Sequence, residues 1–418
     1  MDRLDRLARC SEEDGALTRL FLTAAHEEAG ALVMSWMREA GMTADFDAAG
    51  NVVGRYEAAV PGRPTLLLGS HLDSVRDAGR YDGAFGVVAA IACVAALHDA
   101  GTRLPFAIEV LAFGNEEGVR FQSTLVGSRA VAGTLDPAVL ESRDAEGITM
   151  AAALGRFGLD PAALPAVARR PEAVIAYVEP HIEQGPVLEA EGLPVGVVDA
   201  IAGASRYAVT LTGQGGHAGT VPMTMRRDAL AAAAEAVLAI EGRCRAEDGV
   251  VGTVGTLEVV SGAANVIPGA VRFSIDLRSR DDGLRRRTAE AVLAELADIC
   301  ARRDIRVAVT PTHDADATVC DARLTARLEQ AIAAHGLTPR RLTSGAGHDA
   351  MAMAALTPVA MLFLRCRGGV SHHPDEAITA EDAEMGVRVL LAFLHDFAED
   401  WRAEDGGAPA PAREKLGS

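Results

Sequence analysis

The sequence predicts an α/β protein: a domain with a central mixed sheet flanked by helices, interrupted by an inserted α+β domain. Three observations lead there. Short apolar runs alternate with apolar helical segments before Arg206 and again after Cys320. Several of those runs end in clusters of His, Asp or Glu. Between them the order changes to β-α-β-β-α-β, a split βαβ sandwich of about a hundred residues. A chain of 418 residues also exceeds one ordinary core, so two domains are expected.

Residues 1–40 read as helical, with apolar residues at helical spacing and Gly41 as the stop. Met42 to Glu57 reads as strand–turn–strand, with Gly50-Asn51 at the turn. Thr65-Leu66-Leu67-Leu68 is a buried strand, and VVAAIACVAAL (87–97) a buried helix. Between them lies GSHLDSVRDAGRYDGAFG (69–86), which places His71, Asp73 and Asp82 in a Gly-rich loop after a strand. Ligands bind at such places in open α/β sheets, and imidazoles grouped with carboxylates suit a metal ion. PFAIEVLAF (105–113) is a second buried strand, followed by Glu116 and Glu117. A third apolar run (173–180) leads into HIEQG, with His181 and Gln184. The inserted domain is set at 206–315, which leaves 1–205 and 316–403 as the two parts of the catalytic domain. In the second part, PVAMLFLRC is a strand followed by RGGVSHHPDE. Thr379 is then the expected N-cap of a long helix. The Gly/Ala/Pro-rich tail, 404–418, reads as disordered.

The formal charge of −18 argues against nucleic acid as a partner. The six cysteines form no CxxC pair and read as free thiols. The N-terminus lacks the apolar core of a secretion signal, and no stretch reaches membrane-spanning length without charges, so the cytoplasm is the expected location. Of eleven histidines, six (His71, His181, His217, His348, His372, His373) sit in Gly- or Pro-punctuated loops beside acidic residues. A lone loop histidine is more often structural, and Glu116-Glu117 alone reads as a solvated acidic turn. It is the repetition at several strand ends that points to one site.

GSHLDSV, GRYDGAFGV, GNEEGVRF, HIEQGPVLE, GGHAGTVPM with RRDA, NVIPG, DLRS, SGAGHDA and GGVSHHP occur in this order. Together they resemble the two-metal amidohydrolases of the aminoacylase and carboxypeptidase-G clan. The closer resemblance is to the hydantoinase/carbamoylase branch, which holds allantoate amidohydrolase, N-carbamoyl-L-amino-acid hydrolase and β-ureidopropionase. It covers nearly the whole chain except the tail. HIEQG is its most branch-specific piece, because peptidases of the clan usually carry a carboxylate at the position of His181.

The resemblance implies two divalent metal ions per subunit: zinc or manganese, with cobalt or nickel as further choices. His71 and His181 would bind one and Glu117 and His372 the other, with Asp82 bridging both. His373, next to His372, is the competing ligand. Glu116 would be the general base, and Asp73 would hydrogen-bond a ligand histidine. Asn115 departs from the Asp common in relatives. The Asp82–Gly83 peptide is expected to be cis. Arg278 and Asn265 would hold a substrate carboxylate, Gln184 would face the ureido group, and Gly369 would offer backbone contacts. His217 would stabilise the transition state in the partner subunit of a homodimer, making the inserted domain a dimerisation or lid domain. His348 and Asp349 would line the same region or serve a structural role. The implied activity is hydrolysis of a ureido group on a small carboxylate, allantoate first, which would place the protein in purine catabolism. The alternatives are an N-carbamoyl-L-amino-acid hydrolase or β-ureidopropionase, then an aminoacylase or dipeptidase, and last a binding protein that has lost its metals.

Overall fold

The computed structural model describes residues 1–404. Of the tail 404–418 expected to be disordered, Glu404 instead ends a helix, and 405–418 lie outside the described residues. The chain divides into two compact units. The first comprises Met1–Asp199, Cys320–Leu342 and the chain from His348 onward; the second comprises Ala200–Val319 and Thr343–Gly347. These limits fall a few residues outside 206 and 315, because the first and last long strands of the second unit run Gly203–Thr212 and Arg306–Ala315.

Among the described residues the main path of the first unit's sheet runs through seven strands, β1 (Thr43–Phe46), β2 (Val52–Tyr56), β3 (Thr65–His71), β4 (Ala107–Phe113), β5 (Val174–Ile182), β6 (Val195–Ile201, whose last two residues belong to the second unit) and β7 (Val359–Leu364), and the short strand Arg341–Ser344 also pairs with β6. Their order is β1-β2-β4-β3-β5-β7-β6. The four inner strands β4, β3, β5 and β7 are mutually parallel, while β1, β2 and β6 pair antiparallel at the edges. Every residue of β3, β4 and β7 is buried. Continuous burial on both faces is why these strands read as unbroken apolar runs rather than alternating ones. Helices Ala84–Asp99, Ala322–Ala334 and Ala380–Glu404 contribute Val87, Ile91, Val94, Leu328, Ile332, Leu390 and Phe393 to the same core. Thr379 caps the last of these, its Oγ1 accepting the Asp382 N–H at 3.0 Å.

One expectation fails at the start. Residues 1–40 are not one helical region; the helices are Asp2–Leu7 and Ala24–Glu39. The guanidinium of Arg19 is buried between them and donates to the backbone carbonyls of Leu72, Leu7 and Cys10. Those bonds hold the intervening chain in a non-helical path that apolar spacing does not reveal.

In the second unit, Leu257–Val260, Ala270–Ser279, Gly203–Thr212 and Arg306–Ala315 lie side by side in that order, all antiparallel. Val250–Thr253 pairs with the Asp276–Ser279 end of the second strand. Val250–Thr253 and Leu257–Val260 are therefore two strands rather than one continuous run. Thr253 faces Asp276 and Leu257 faces Phe273, so the register slips by one residue between them. Helices Ala229–Ala246 and Asp282–Arg302 cover one sheet face, burying Val209, Leu211, Phe273, Ile275 and Leu277 with Ala236, Ile240, Val292 and Leu296. Among the described residues, no helix is long and apolar enough to cross a membrane.

Candidate metal centre

Because β4, β3, β5 and β7 are parallel neighbours, their C-terminal ends share one edge. His71 is the last residue of β3 and His181 the last but one of β5. Glu116 and Glu117 follow β4, and Ser371-His372 follow β7. Asp82 sits in the loop after β3, one residue before Gly83, which opens the Ala84–Asp99 helix at φ 63°. A Cβ on Gly83 would lie 2.5 Å from the His71 ring, so glycine is what lets this loop close over the histidine. The Asp82–Gly83 peptide is trans, contrary to the expectation of a cis bond.

Asp82 is the hub. Its Oδ1 lies 3.4 Å from His71 Nε2 and 3.1 Å from His181 Nε2. Its Oδ2 lies 3.1 Å from His372 Nε2, which is also 3.5 Å from Glu117 Oε1. Among the described residues, four sets of donor atoms cluster within 4.8 Å: His71–Asp82–His181, Asp82–Glu117–His372, His71–Glu116–Glu117 and Glu179–His181–His348. The first two share only Asp82, through different oxygens.

The donors suit divalent ions. His71 Nδ1 and His181 Nδ1 lie 2.9 Å from the backbone carbonyls of Asp73 and Ile182. A carbonyl only accepts, so each Nδ1 carries a proton and Nε2 is the ring nitrogen that faces Asp82 and could take a metal ion. His181 Nε2 is buried without a hydrogen-bond partner despite standing 3.1 Å from a carboxylate oxygen. A ring nitrogen and a carboxylate oxygen this close need positive charge between them, either a proton or a metal ion. Ligand atoms each about 2.1 Å from one ion stand roughly 3.0–3.4 Å apart, which matches these separations.

Electrostatics agree. Burial works against charge on Asp82, but His181, His372 and His71 hold its carboxyl well below the usual range. Asp82 in turn raises His372 to about 9. Burial, with Glu117, Asp349 and Asp73 nearby, pushes Glu116 well up against the pull of His71. Burial and Asp82 lift Glu117 to about 7. Carboxylates crowded in a dry site call for positive charge.

Asp73 differs from expectation. Its backbone carbonyl, not its carboxylate, meets His71. The carboxylate accepts the N–H groups of Glu116 (3.0 Å) and Glu117 (3.2 Å), and so orients both glutamates. Asn115 precedes them at φ 61° and is buried, its Nδ2 donating to Ser123 O. That left-handed residue breaks the strand pattern, which otherwise sends adjacent side chains to opposite faces. His373 turns to its own loop, its Nδ1 accepting the Asp375 N–H.

Gln184, at φ 56°, donates from Nε2 to Asp82 Oδ2 (3.1 Å) and Ser371 Oγ (3.0 Å). Gly369, at φ 65°, packs on the Gly185 backbone so closely that a Cβ would lie 2.6 Å from it. His348 is buried edge-on to His181, and burial with His181 pushes it well down. Asp349 is buried beside it in the next helix.

Three expected residues lie in the second unit. His217 forms a two-residue ribbon with Val266, the neighbour of Asn265, and its Nδ1 accepts the Gly219 N–H. Asn265 lies in the loop and accepts the Ala218 N–H through its carbonyl. Arg278 already has partners: Nε and Nη2 grip Asp276 at 3.0 and 2.8 Å, and Nη1 donates to Gly345 O. Arg206 approaches the same Asp276 at 2.9 Å.

A family model described as peptidase family M20/M25/M40 matches residues 67–396. The chain belongs to this family. Within it, the chain is 44% identical to the probable allantoate deiminase of Oryza sativa subsp. japonica, over 95% of this chain and 88% of that protein. It is likewise 44% identical to the N-carbamoyl-L-amino acid amidohydrolase of Geobacillus stearothermophilus, over 93% of this chain and 95% of that one. A hydantoinase/carbamoylase-family amidase from Burkholderia multivorans is similar in structure, with TM-score 0.90 and 34% identity over 95% of this chain and 96% of that one. The family, with relatives named as an allantoate deiminase and an N-carbamoyl-L-amino acid amidohydrolase, makes hydrolysis of a C–N bond the reaction class.

Proposed function

We propose that this M20 protein is a dinuclear-metal amidohydrolase that removes the ureido group of a small carboxylate, with allantoate converted to ureidoglycine, ammonia and carbon dioxide. The observation that supports it most is Asp82, one carboxylate whose two oxygens face separate donor sets. In this reading His71 and His181 would hold one ion and Glu117 and His372 the other, with Asp82 a ligand that both would share. Imidazole with carboxylate suits zinc, manganese, cobalt or nickel. When bound, two such ions polarise the carbonyl under attack and acidify water.

The chain's own residues do the rest. Glu116, steered by Asp73, takes a proton from the attacking water and passes it to the leaving nitrogen. One ureido group and one water yield an amine, ammonia and carbon dioxide. His217 keeps its ring proton on Nε2, since Nδ1 accepts from Gly219, and so can donate to the developing oxyanion. It does so in the partner subunit of a homodimer, which makes the second unit a dimerisation and lid domain. Arg278 and Asn265 hold the substrate carboxylate. Two of the five N–H groups of Arg278 remain for it once Asp276 and Gly345 are counted. Gln184 commits its Nε2 to Asp82 and Ser371, which leaves Oε1 to accept a ureido N–H. Gly369 adds backbone contacts. A cytoplasmic location accords with six cysteines that are all free and buried.

The equal 44% identity to the Geobacillus enzyme favours N-carbamoyl-L-amino acids as the second reading. Ammonia release by metal-loaded protein, measured on allantoate beside N-carbamoyl-L-amino acids, N-carbamoyl-β-alanine, N-acetyl amino acids and dipeptides, separates the choices. Faster turnover of allantoate is expected. A clear preference for N-carbamoyl-L-amino acids replaces allantoate, and cleavage of peptides with no ammonia from any ureido compound removes the ureido reading altogether.

A further inference from the structure

The two donor sets around Asp82 are anchored in different ways. His71 and His181 have side chains only 3% and 1% exposed, stand on strands, and are fixed through Nδ1 by backbone carbonyls. His372 is 51% exposed and sits at φ 55°, a left-handed conformation that costs free energy and persists only where neighbours enforce it. Packing does not hold it. What holds it is the residue before it, Ser371, and what holds Ser371 is Glu376.

Glu376 is 4% exposed. Its Oε2 accepts the Ser371 hydroxyl at 2.8 Å. Its Oε1 accepts the backbone N–H groups of Tyr81 (2.8 Å) and Asp82 (3.1 Å), almost three hundred residues away in the chain. Ser371 Oγ has two acceptors in reach, Glu376 Oε2 at 2.8 Å and the more distant Asp82 Oδ2 at 3.4 Å, and it accepts from Gln184 Nε2, which also reaches Asp82 Oδ2. The loop passes so closely over Glu376 that a Cβ on Gly79 would lie 2.3 Å from its carboxyl carbon. One buried carboxylate thus bridges the loop that bears Asp82 and the loop that bears His372.

We propose that Glu376 is a positioning residue for the metal site formed by Asp82 Oδ2, Glu117 and His372, fixing the His372 loop to the Asp82 loop, with little influence on the site formed by His71 and His181. This rests on the reading that Asp82 bridges two ions.

The test is equilibrium dialysis of the full-length protein against manganese or zinc, with metal counted by mass spectrometry, alongside cobalt titration followed by visible absorption. Glu376→Gln is expected to keep one equivalent at wild-type affinity and to bind the second roughly 10–100-fold more weakly. The absorption of the second cobalt should appear only at correspondingly higher metal. Ser371→Ala, which spares the bonds of Glu376 to Tyr81 and Asp82, and Gly79→Ala, which crowds the carboxylate without altering its charge, should give the same selective loss. Excess metal should restore the second cobalt band. Two equivalents at wild-type affinity in Glu376→Gln and Ser371→Ala overturn the proposal, and so does parallel loss of both ions. A wild-type protein that binds a single ion refutes the two-ion reading itself and the proposal with it, whereas a His372→Ala variant that still binds two at wild-type affinity removes His372 as a ligand and overturns the proposal alone.

Discussion

His71 and His181 are carried on buried parallel strands, whereas Glu117 and His372 stand on loops beyond strand ends. The first pair is placed by the same hydrophobic burial and sheet pairing that fold the unit. The second pair is placed by a few polar contacts: Asp73 under Glu117, and Glu376 with Ser371 under His372. A strand-borne ligand is therefore as rigid as the core, while a loop-borne one can be adjusted or lost without unfolding the protein. Asp82 joins the two kinds of support in one side chain.

This contrast can be broken in several places. The largest effect is expected from Asp82→Ala, which should remove both ions and abolish ureido hydrolysis, checked by metal content and ammonia release together. Glu116→Gln should keep both ions and lose roughly 10²–10⁴-fold in turnover, the usual span for a general base; turnover near wild type would remove Glu116 from that role. Next come His181→Ala and His372→Ala. Each should cost an ion, but only His181→Ala should also lower the melting temperature of chelator-treated protein, because only His181 is packed in the core. Equal melting temperatures would erase the distinction between strand-built and loop-built halves. Asp276→Asn frees the fork of Arg278 and should raise KM several-fold with kcat little changed, a split that reads loss of ground-state binding.

The smallest effect at neutral pH concerns a buried histidine with no carboxylate beside it. His26 lies among Phe21, Phe46 and Phe157, with Nδ1 accepting the Leu22 N–H, and burial lowers it to about 3. The folded protein then binds fewer protons than the unfolded chain between pH 6.5 and about 3. Stability is lost as pH falls through that window, by about 1.4 kcal/mol per pH unit at most. His26→Gln, which keeps an acceptor for Leu22, should flatten the slope in urea titrations at successive pH values.

Much of the architecture was legible in local sequence. Continuous apolar runs at 65–68, 105–113 and 358–366 mark strands buried on both faces, and Thr379 marks a helix start. Two strands, Val195–Ile201 and Arg341–Ser344, were not legible: the first is interrupted by Gly196 and Asp199, and the second is only four residues long and alternates exposed with buried positions. The break between Thr253 and Leu257 was invisible because a one-residue slip is set by the partner strand.

At the centre the division follows the range of the forces. Residue types, their order along the chain and their position after apolar runs are written within ten or so residues of each histidine and carboxylate, where side-chain periodicity and turn chemistry act. Which oxygen of Asp82 faces which histidine depends on β4, β3, β5 and β7 lying side by side. So do the turning of His372 rather than His373 toward Asp82, the engagement of Gln184 with Ser371, and the reach of Glu376 to Tyr81. These are hydrogen bonds and charge contacts across hundreds of residues, and only the packed sheet brings their partners within reach.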